Sequence, residues 1–475
     1  MKHRYFTLSL LWVTMLVACS PIEVPMQSSV QIPTQFDKLP STSPTMSPLA
    51  NKSNTMTDLR QWWKLWQDTQ LDQLIDMALQ NNTDIALAQA RLEEARAMSG
   101  LAQADKGPQV GASGSLGRAD TRLEDLPLMN NHNDRIQGGG VNLVASWEPD
   151  FFGKKRSDAQ AALYAALSKE EQWRATQLAV VSAVAQNYFQ FNGTQQQYAL
   201  LQKNIAVLQQ LQRYVQGRFN AGYVTQYEVD EVSNKILTLQ SHQAALQAKA
   251  DSIQRQIAVL VGATPQSFKL NTNTAILKHS PTAPTGKLPG EVLNRRPDIQ
   301  AYSLAVNARA AQVASAKADL YPRFDIQFLG HGGRISLSQD LSSFSEFASI
   351  ISLGVQLPIF TNGRIQANIN AADARLKASL IEYDKALLKA LAEVDSYYQL
   401  TNAFTQKVSL LENRVLQQQK QANQANILFQ HGNKTLDNVL TARLDMLAAE
   451  QDLLDARLQH HENMVLLYKA LGGDW

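Results

Sequence analysis

Residues 218–232 read RFNAGYVTQYEVDEV, and what stands on either side of them decides the fold. Upstream, from Lys154 to Gly217, about 64 residues contain no proline and one internal glycine, Gly193. At 1.5 Å per residue an uninterrupted helix of that length is roughly 95 Å long, against about three turns for a helix in an ordinary globular core. Downstream, Val232, Ile236, Leu239, Gln243, Leu246, Ala250, Ile253, Ile257 and Leu260 alternate four and three apart, which is a coiled-coil seam. Residues 154–262 are therefore predicted as a long helical hairpin. Its bend at Arg218-Phe219-Asn220-Ala221-Gly222 carries a glycine because tight turns commonly need a positive φ.

The hairpin occurs twice. Adding 210 moves Gly153 onto Gly363, Tyr188 onto Tyr398, Phe219 onto Phe429, Gly222 onto Gly432, Thr225 onto Thr435 and Gly262 onto Gly472, without a gap. Matches of Ala, Leu and Gln alone are expected between any two long coiled-coil helices. Glycines and aromatics that hold one offset over about 120 residues indicate an internal duplication.

The totals narrow the class. With 475 residues, 18% of them charged, a net charge of +2 and a mean hydropathy of −0.26, the chain resembles neither a polytopic inner-membrane protein nor a nucleic-acid binder. Its only uncharged apolar run, Tyr5 to Val17, is too short to span a bilayer and follows Lys2, His3 and Arg4, so residues 1–18 read as a signal peptide. The signal ends in Leu16-Val17-Ala18-Cys19, which resembles the bacterial lipobox, and Cys19 is the only cysteine. That resemblance implies an acylated Cys19, and Ser20 in place of an aspartate implies the outer membrane. Each buried methylene adds about 0.8 kcal/mol, so several acyl chains anchor firmly. Residues 19–57, rich in Pro, Ser and Thr, read as an extended tether. Trp62-Trp63-Lys64-Leu65-Trp66 then opens a short helix and is assigned to packing.

A shorter element is also repeated. A helix from Asp84 to Asp105 recurs at an offset of 214 from Asp298, and Pro108 and Pro322 end the two copies. Each proline is followed by period-2 alternation. In the first copy Val110, Ala112, Gly114 and Leu116 share one face; after a polar loop, Val141, Leu143, Ala145 and Trp147 share another. In the second copy the corresponding sets are Phe324, Ile326 and Phe328, then Ile351, Leu353, Val355 and Leu357. The predicted strands are 109–118, 138–147, 323–330 and 349–358. Four such strands suit an ordinary sheet packed on helices. In a lipoprotein, strands of about nine or ten residues also suit a transmembrane β-barrel, which four strands cannot close, so several chains would each contribute four.

The helix lengths supply a second geometric argument. The short helix, about 24 residues, plus the return arm, about 37, nearly equals the outgoing arm. The two shorter helices, stacked end to end, would pair with the long one to build a helical tube continuous with the barrel. The first repeat is assigned to 58–262 with its hairpin at 154–262, and the second to 298–475 with its hairpin at 364–472. The proline-bearing inter-repeat segment, 263–297, is expected outside the tube near its waist. The fold class is thus an α+β membrane protein with tandem-duplicated hairpins.

Five stretches carry a family resemblance: Trp62-Trp63 with Leu71-Asp72-Gln73-Leu74, Asn81-Asn82-Thr83-Asp84-Ile85, Trp147-Glu148-Pro149-Asp150-Phe151-Phe152-Gly153, Arg218 to Gly222, and Arg295-Arg296-Pro297-Asp298-Ile299. In these the chain resembles the TolC-like outer-membrane factors, specifically their lipoprotein branch. The resemblance implies a homotrimer whose twelve strands form one barrel above an α-barrel that crosses the periplasm. It implies that the bends dock a periplasmic adaptor, with Arg218, Phe219, Gly222 and Thr225 on the first and Phe429, Gly432 and Thr435 on the second. Arg218 corresponds to Leu428, so the two docking sites are expected to be inequivalent. It also places a pore gate near the bends, with Glu228 and Lys434 at charged positions. Asn438 and Thr441 stand where relatives carry acidic rings, with Asp437 beside them, which puts a strong cation block in doubt.

Enzymatic signatures are missing. There is no HExxH, GxSxG, P-loop or dinucleotide fingerprint, and His460-His461-Glu462 has no second ligand cluster in the sequence. No cofactor or metal is expected. The chain reads as a passive conduit, driven through an adaptor by an inner-membrane pump and exporting drugs or other small toxic compounds. Type I protein secretion is a variant of the same reading. A periplasmic adaptor or structural coiled-coil lipoprotein is the rival from another class, although adaptors normally carry one hairpin.

Overall fold

The structure is a computed structural model that describes residues 28–36, 59–122, 133–284, 289–336 and 344–473. Cys19, the signal peptide and most of the 19–57 tether lie outside the described residues. After a 3-10 turn at Leu59–Trp66 come α1 (Thr69–Asn81), α2 (Thr83–Ala104), β1 (Gln109–Arg122), β2 (Asn133–Trp147), α3 (Lys154–Asn220) and α4 (Gln226–Leu260). The short α5 (Pro289–Arg295) precedes α6 (Pro297–Ala318), β3 (Arg323–Ser336), β4 (Phe344–Gln356), α7 (Arg364–Gln430) and α8 (Leu436–Ala470). The two halves match residue for residue in helix length: 22 for α2 and α6, 67 for α3 and α7, 35 for α4 and α8.

The outgoing arms are longer than the sequence suggested, and the shorter helices shorter. Gly217 does not stop α3, because a glycine with helical backbone merely weakens a helix. The residue that stops it is Gly222, at φ +78°. Together α2, with 22 residues, and α4, with 35, fall short of the 67 in α3 by a helix length of about 15 Å.

Contacts divide the chain into two compact units. The first, which takes in the described residues 92–122, 133–169, 302–336 and 344–383, holds the sheet. Its four strands run β1-β2-β3-β4, every neighbour antiparallel. They extend further toward the β1–β2 and β3–β4 loops than the alternation indicated. Residues 119–122, 133–137, 331–336 and 344–348 join the ladder although the sequence there has no clean alternation, because backbone pairing does not require one. β4 ends at Gln356 rather than at 358, since Pro358 has no N–H to offer. Residues directly opposite one another share a face. One face carries the rows Ala145–Phe328–Ile351 and Trp147–Ile326–Leu353; the other carries Ser113–Asn142–His331–Ala348. On the first face Phe347 is 82% exposed and Leu353 71%, so a single chain leaves it uncovered. In the helical part of this unit Val306, Ala310, Val313 and Ala316 of α6 pack on Ile369, Ala372 and Leu376 of α7.

The second unit, which takes in the described residues 29–36, 59–91, 170–284, 289–301 and 384–473, holds the main core. Trp62 stacks on Tyr468 with ring centroids 5.5 Å apart. Asp68 caps α1 by accepting from the Leu71 N–H at 2.8 Å, and it also accepts from the Tyr188 hydroxyl and from Asn273 Nδ2 at 2.6 Å. Tyr398 donates to the Pro284 carbonyl at 2.7 Å. The N-terminal helix and the inter-repeat segment are therefore held in one core with both hairpins. Trp66 Nε1 donates to His461 Nδ1 at 2.8 Å, which leaves the ring proton on Nε2, hydrogen-bonded to the Leu277 backbone. Burial, with the neighbouring His460, pushes the His461 pKa down to about 3.

The same joint occurs at the end of each hairpin. Gly262 has φ +70°, and a Cβ there would lie 2.4 Å from the Asn81 carbonyl oxygen; Asn82 Nδ2 donates to the Leu260 carbonyl at 2.9 Å while its Oδ1 accepts from the Asp84 and Ile85 N–H groups. At the second joint Gly472, at φ +94°, faces Arg295 and Arg296, and Arg296 Nη1 donates to the Ala470 carbonyl at 3.3 Å. The buried Arg296 guanidinium is neutralised by Asp298 at 2.7 Å and Glu393 at 3.0 Å. In each repeat the C-terminus of the return helix thus abuts the start of the short helix.

Two outcomes are expected. Gly262→Ala loses the left-handed conformation, worth about 1–2 kcal/mol, and also collides with Asn81. Gly153→Ala has the same φ problem but open space around it, so calorimetric unfolding should rank Gly262→Ala well below Gly153→Ala. For His461, a folded pKa below the ordinary value means that the unfolded chain binds the proton first. Its contribution is fully present above pH 6.5 and is lost as pH falls from 6.5 toward about 3. His461→Phe should flatten the pH dependence of the unfolding midpoint across that window.

Candidate docking and gating site at the helix bends

Each bend joins a helix C-terminus to a helix N-terminus, so both ends leave backbone groups to satisfy. At the first, the Gly222 N–H donates to the Phe219 carbonyl at 2.9 Å and the Tyr223 N–H to the Arg218 carbonyl at 2.9 Å. At the second, Gly432, at φ +75°, donates to Phe429 at 2.9 Å and Asn433 to Leu428 at 2.8 Å. Both are Schellman closures. Gly222 and Gly432 serve the backbone, and they position identical turns at the two ends.

The side chains on those turns differ. Thr225 opens α4 with a capping box: its N–H donates to the Glu228 carboxylate at 2.9 Å, and its hydroxyl bonds the same carboxylate. The Thr225 contact, helped by backbone N–H groups and the charge of Arg218, holds the Glu228 carboxyl below its ordinary range. Arg218 sits over the Tyr214 ring, 5.9 Å from its centroid. Thr435 occupies the equivalent cap of α8, but Asn438 replaces the glutamate and donates from Nδ2 to the Thr435 hydroxyl oxygen at 2.7 Å. Asp437 is half-buried, with one carboxylate oxygen enclosed and unpaired. Lys434, Asn438 and Thr441 are exposed, Phe429 is exposed and Phe219 is half-buried.

The bends are thus assembled locally. Among the described residues no hydrogen bond or ion pair joins the predicted residues of one bend to those of the other. Side-chain packing between the hairpins resumes above them, where Leu444 meets Ile205, Leu208, Val232 and Ile236. Two residues at the first bend escaped the sequence reading: Tyr223 is 76% exposed and Tyr227 73%. Their signal was present, since offset 210 puts Asn433 and Asp437 in their places.

Residues 74–263 and 288–473 match the family described as outer membrane efflux protein. The chain belongs to this family. It is 28% identical over 474 residues to the pyoverdine export outer membrane protein OpmQ of Pseudomonas aeruginosa PAO1, covering 97% of this chain and 95% of that one. It is 29% identical over 418 residues to the cation efflux system protein CusC of Escherichia coli K12, covering 87% and 88%. The MtrE outer membrane channel of Neisseria gonorrhoeae, crystallised in its open state, superposes with a TM-score of 0.78 at 23% identity, covering 96% of this chain and 98% of MtrE. The fold is that of the trimeric outer-membrane channels. Three copies of the four-stranded sheet make the transmembrane barrel, and the duplicated hairpins make the α-barrel. The protein is a transporter component of the outer membrane and not an enzyme.

The difference between the two caps has a measurable consequence. In Glu228→Ala the Thr225 amide loses its acceptor, so hydrogen exchange at residues 225–229 should accelerate several-fold. Asn438→Ala removes side-chain bonds to the Thr435 hydroxyl and the Asp437 carboxylate but no acceptor of a backbone amide, and should leave exchange at the second bend unchanged.

Proposed function

We propose that the chain is the conduit through which a tripartite system exports small molecules, that its two bends dock a periplasmic adaptor at inequivalent sites, and that the gate is formed between copies at those bends. The observation that carries this reading is two identical Schellman turns presenting different side chains. On the first stand Arg218, Phe219, Tyr223 and the capped Thr225–Glu228 pair; on the second stand Phe429, Lys434, Thr435 and Asn438. With no hydrogen bond or ion pair joining these residues across the two bends among the described residues, Glu228, Lys434, Asp437, Asn438 and Thr441 have neighbouring copies as their available gating partners.

The relatives are named for pyoverdine export, cation efflux and toluene efflux, which favours small cargo over unfolded polypeptide. Cargo selection is assigned largely upstream, to the energised pump, since the chain carries no ATP-binding signature of its own. Membership of the efflux family, with two hairpins per chain, sets aside the adaptor alternative. The lipobox-like end of the leader supports acylation at Cys19, a second attachment to the outer membrane besides the barrel.

The test is photo-crosslinking from Phe219 and, separately, Phe429 in cells that express the cognate adaptor. Both positions should crosslink, to different adaptor residues. No adaptor product from either, with the trimer intact, would overturn the docking assignment.

A further inference from the structure

The apolar face of the sheet ends in two arginines, and we infer that Arg118 and Arg334 hold the phosphates of a phosphorylated glycolipid in the outer leaflet. This rests on the outward position of that face in the trimeric barrel wall. From Val110 to Leu116 on β1, Trp147 to Gly139 on β2, Phe324 to Gly332 on β3 and Val355 to Phe347 on β4, the alternate residues of this face include no charge.

Position identifies the leaflet. β1 follows α2 and β2 precedes α3, so Gln109 and Trp147 mark the helix-bearing, periplasmic end. Arg118 is nine residues further along β1 and Arg334 eleven along β3 from Arg323. At about 3.3 Å per residue and a tilt of about 40°, both lie roughly 23–28 Å from the periplasmic end, where an outer-membrane barrel's apolar band of about 25 Å stops.

Register brings the two together. Arg334 is opposite Gly139, which is opposite Leu116; Arg118 is opposite Gln137. The arginines therefore flank β2 on the same face, two residues apart in level, with Cα atoms separated by roughly 12 Å from strand spacing and rise. Between them lies a groove of about 1290 Å³ lined by both arginines, Gln137 and Val141. Gly138, Gly139 and Gly140 give it a floor of bare backbone, over which Leu116 leans: a Cβ on Gly139 would meet Leu116 Cδ2 at 2.5 Å.

The chemistry selects the occupant. At the edge of the hydrocarbon the planar fork of a guanidinium matches a phosphate bidentately. Two such forks, on strands that place their Cα atoms roughly 12 Å apart above an apolar wall that accepts acyl chains, fit a headgroup with two phosphates on a sugar backbone. An inner-leaflet phospholipid has its phosphate at the opposite end of the strands.

The experiment uses the full-length trimer in mild detergent, with native mass spectrometry reading the binding of diphosphorylated lipid A, its dephosphorylated form and phosphatidylglycerol. Wild type should retain diphosphorylated lipid A and discriminate at least tenfold against the other two. The Arg118→Gln/Arg334→Gln variant should bind it at least tenfold more weakly while remaining trimeric. Unchanged binding by the variant, or equal binding of phosphatidylglycerol, would overturn the inference. Should the variant not assemble, the wild-type comparison of phosphorylated with dephosphorylated lipid decides, equal retention counting against the site. Failure of the efflux reading would appear instead in adaptor crosslinking, in which these arginines take no part.

Discussion

The architecture depends on one contact made twice: the end of a return helix pressed against the start of a short helix, with a glycine between them. At Gly262 and Gly472 the backbone adopts a left-handed turn, and at each the neighbouring backbone approaches so closely that no side chain fits without displacement. This turns two helices that are far apart in sequence into one composite column. It also explains the two related motifs. Asn82 and Arg296 precede the short helices, and each donates to the last carbonyls of a return helix, at Leu260 and Ala470. The amide does so without charge, whereas the guanidinium, being buried, also recruits Asp298 and Glu393.

Duplication has preserved backbone and released side chains. Helix lengths, bend glycines and joints repeat in register, because each reflects a steric requirement that both copies share. At the bends the side chains have diverged: Arg218 corresponds to Leu428, Tyr223 to Asn433 and Glu228 to Asn438. An assembly of three copies therefore offers six bends of two kinds. A partner that packs around such an assembly meets alternating chemistry on a uniform frame.

The sheet works under a different constraint. Its exposed apolar rows and its two edge strands are unsatisfied in one chain, and in lipid an open edge is not tolerated. Closing the sheet with other copies satisfies both requirements at once. The faces then divide the labour, with apolar rows toward lipid and Ser113, Asn142 and His331 toward the lumen.

Local periodicity was enough to read the hairpins, the repeat, the strands and the need for several chains, because heptad spacing, glycine at bends and period-2 alternation express short-range sterics and burial. It also picked out the bend glycines, Gly222 and Gly432, since glycine takes a positive φ at least cost, although α3 runs on past Gly217 to Asn220. Tertiary structure alone decided what lies far apart in sequence. The bond from Trp66 to His461 spans 395 positions, and the contact of Arg296 with Glu393 spans 97; neither leaves a mark on local pattern. The same holds for the strand ends, where backbone pairing outran the alternation of the sequence, and for the placing of Arg118 and Arg334 on either side of β2. Sequence determines which face each residue takes, but only register, set by the packing of whole strands, determines which residues become neighbours.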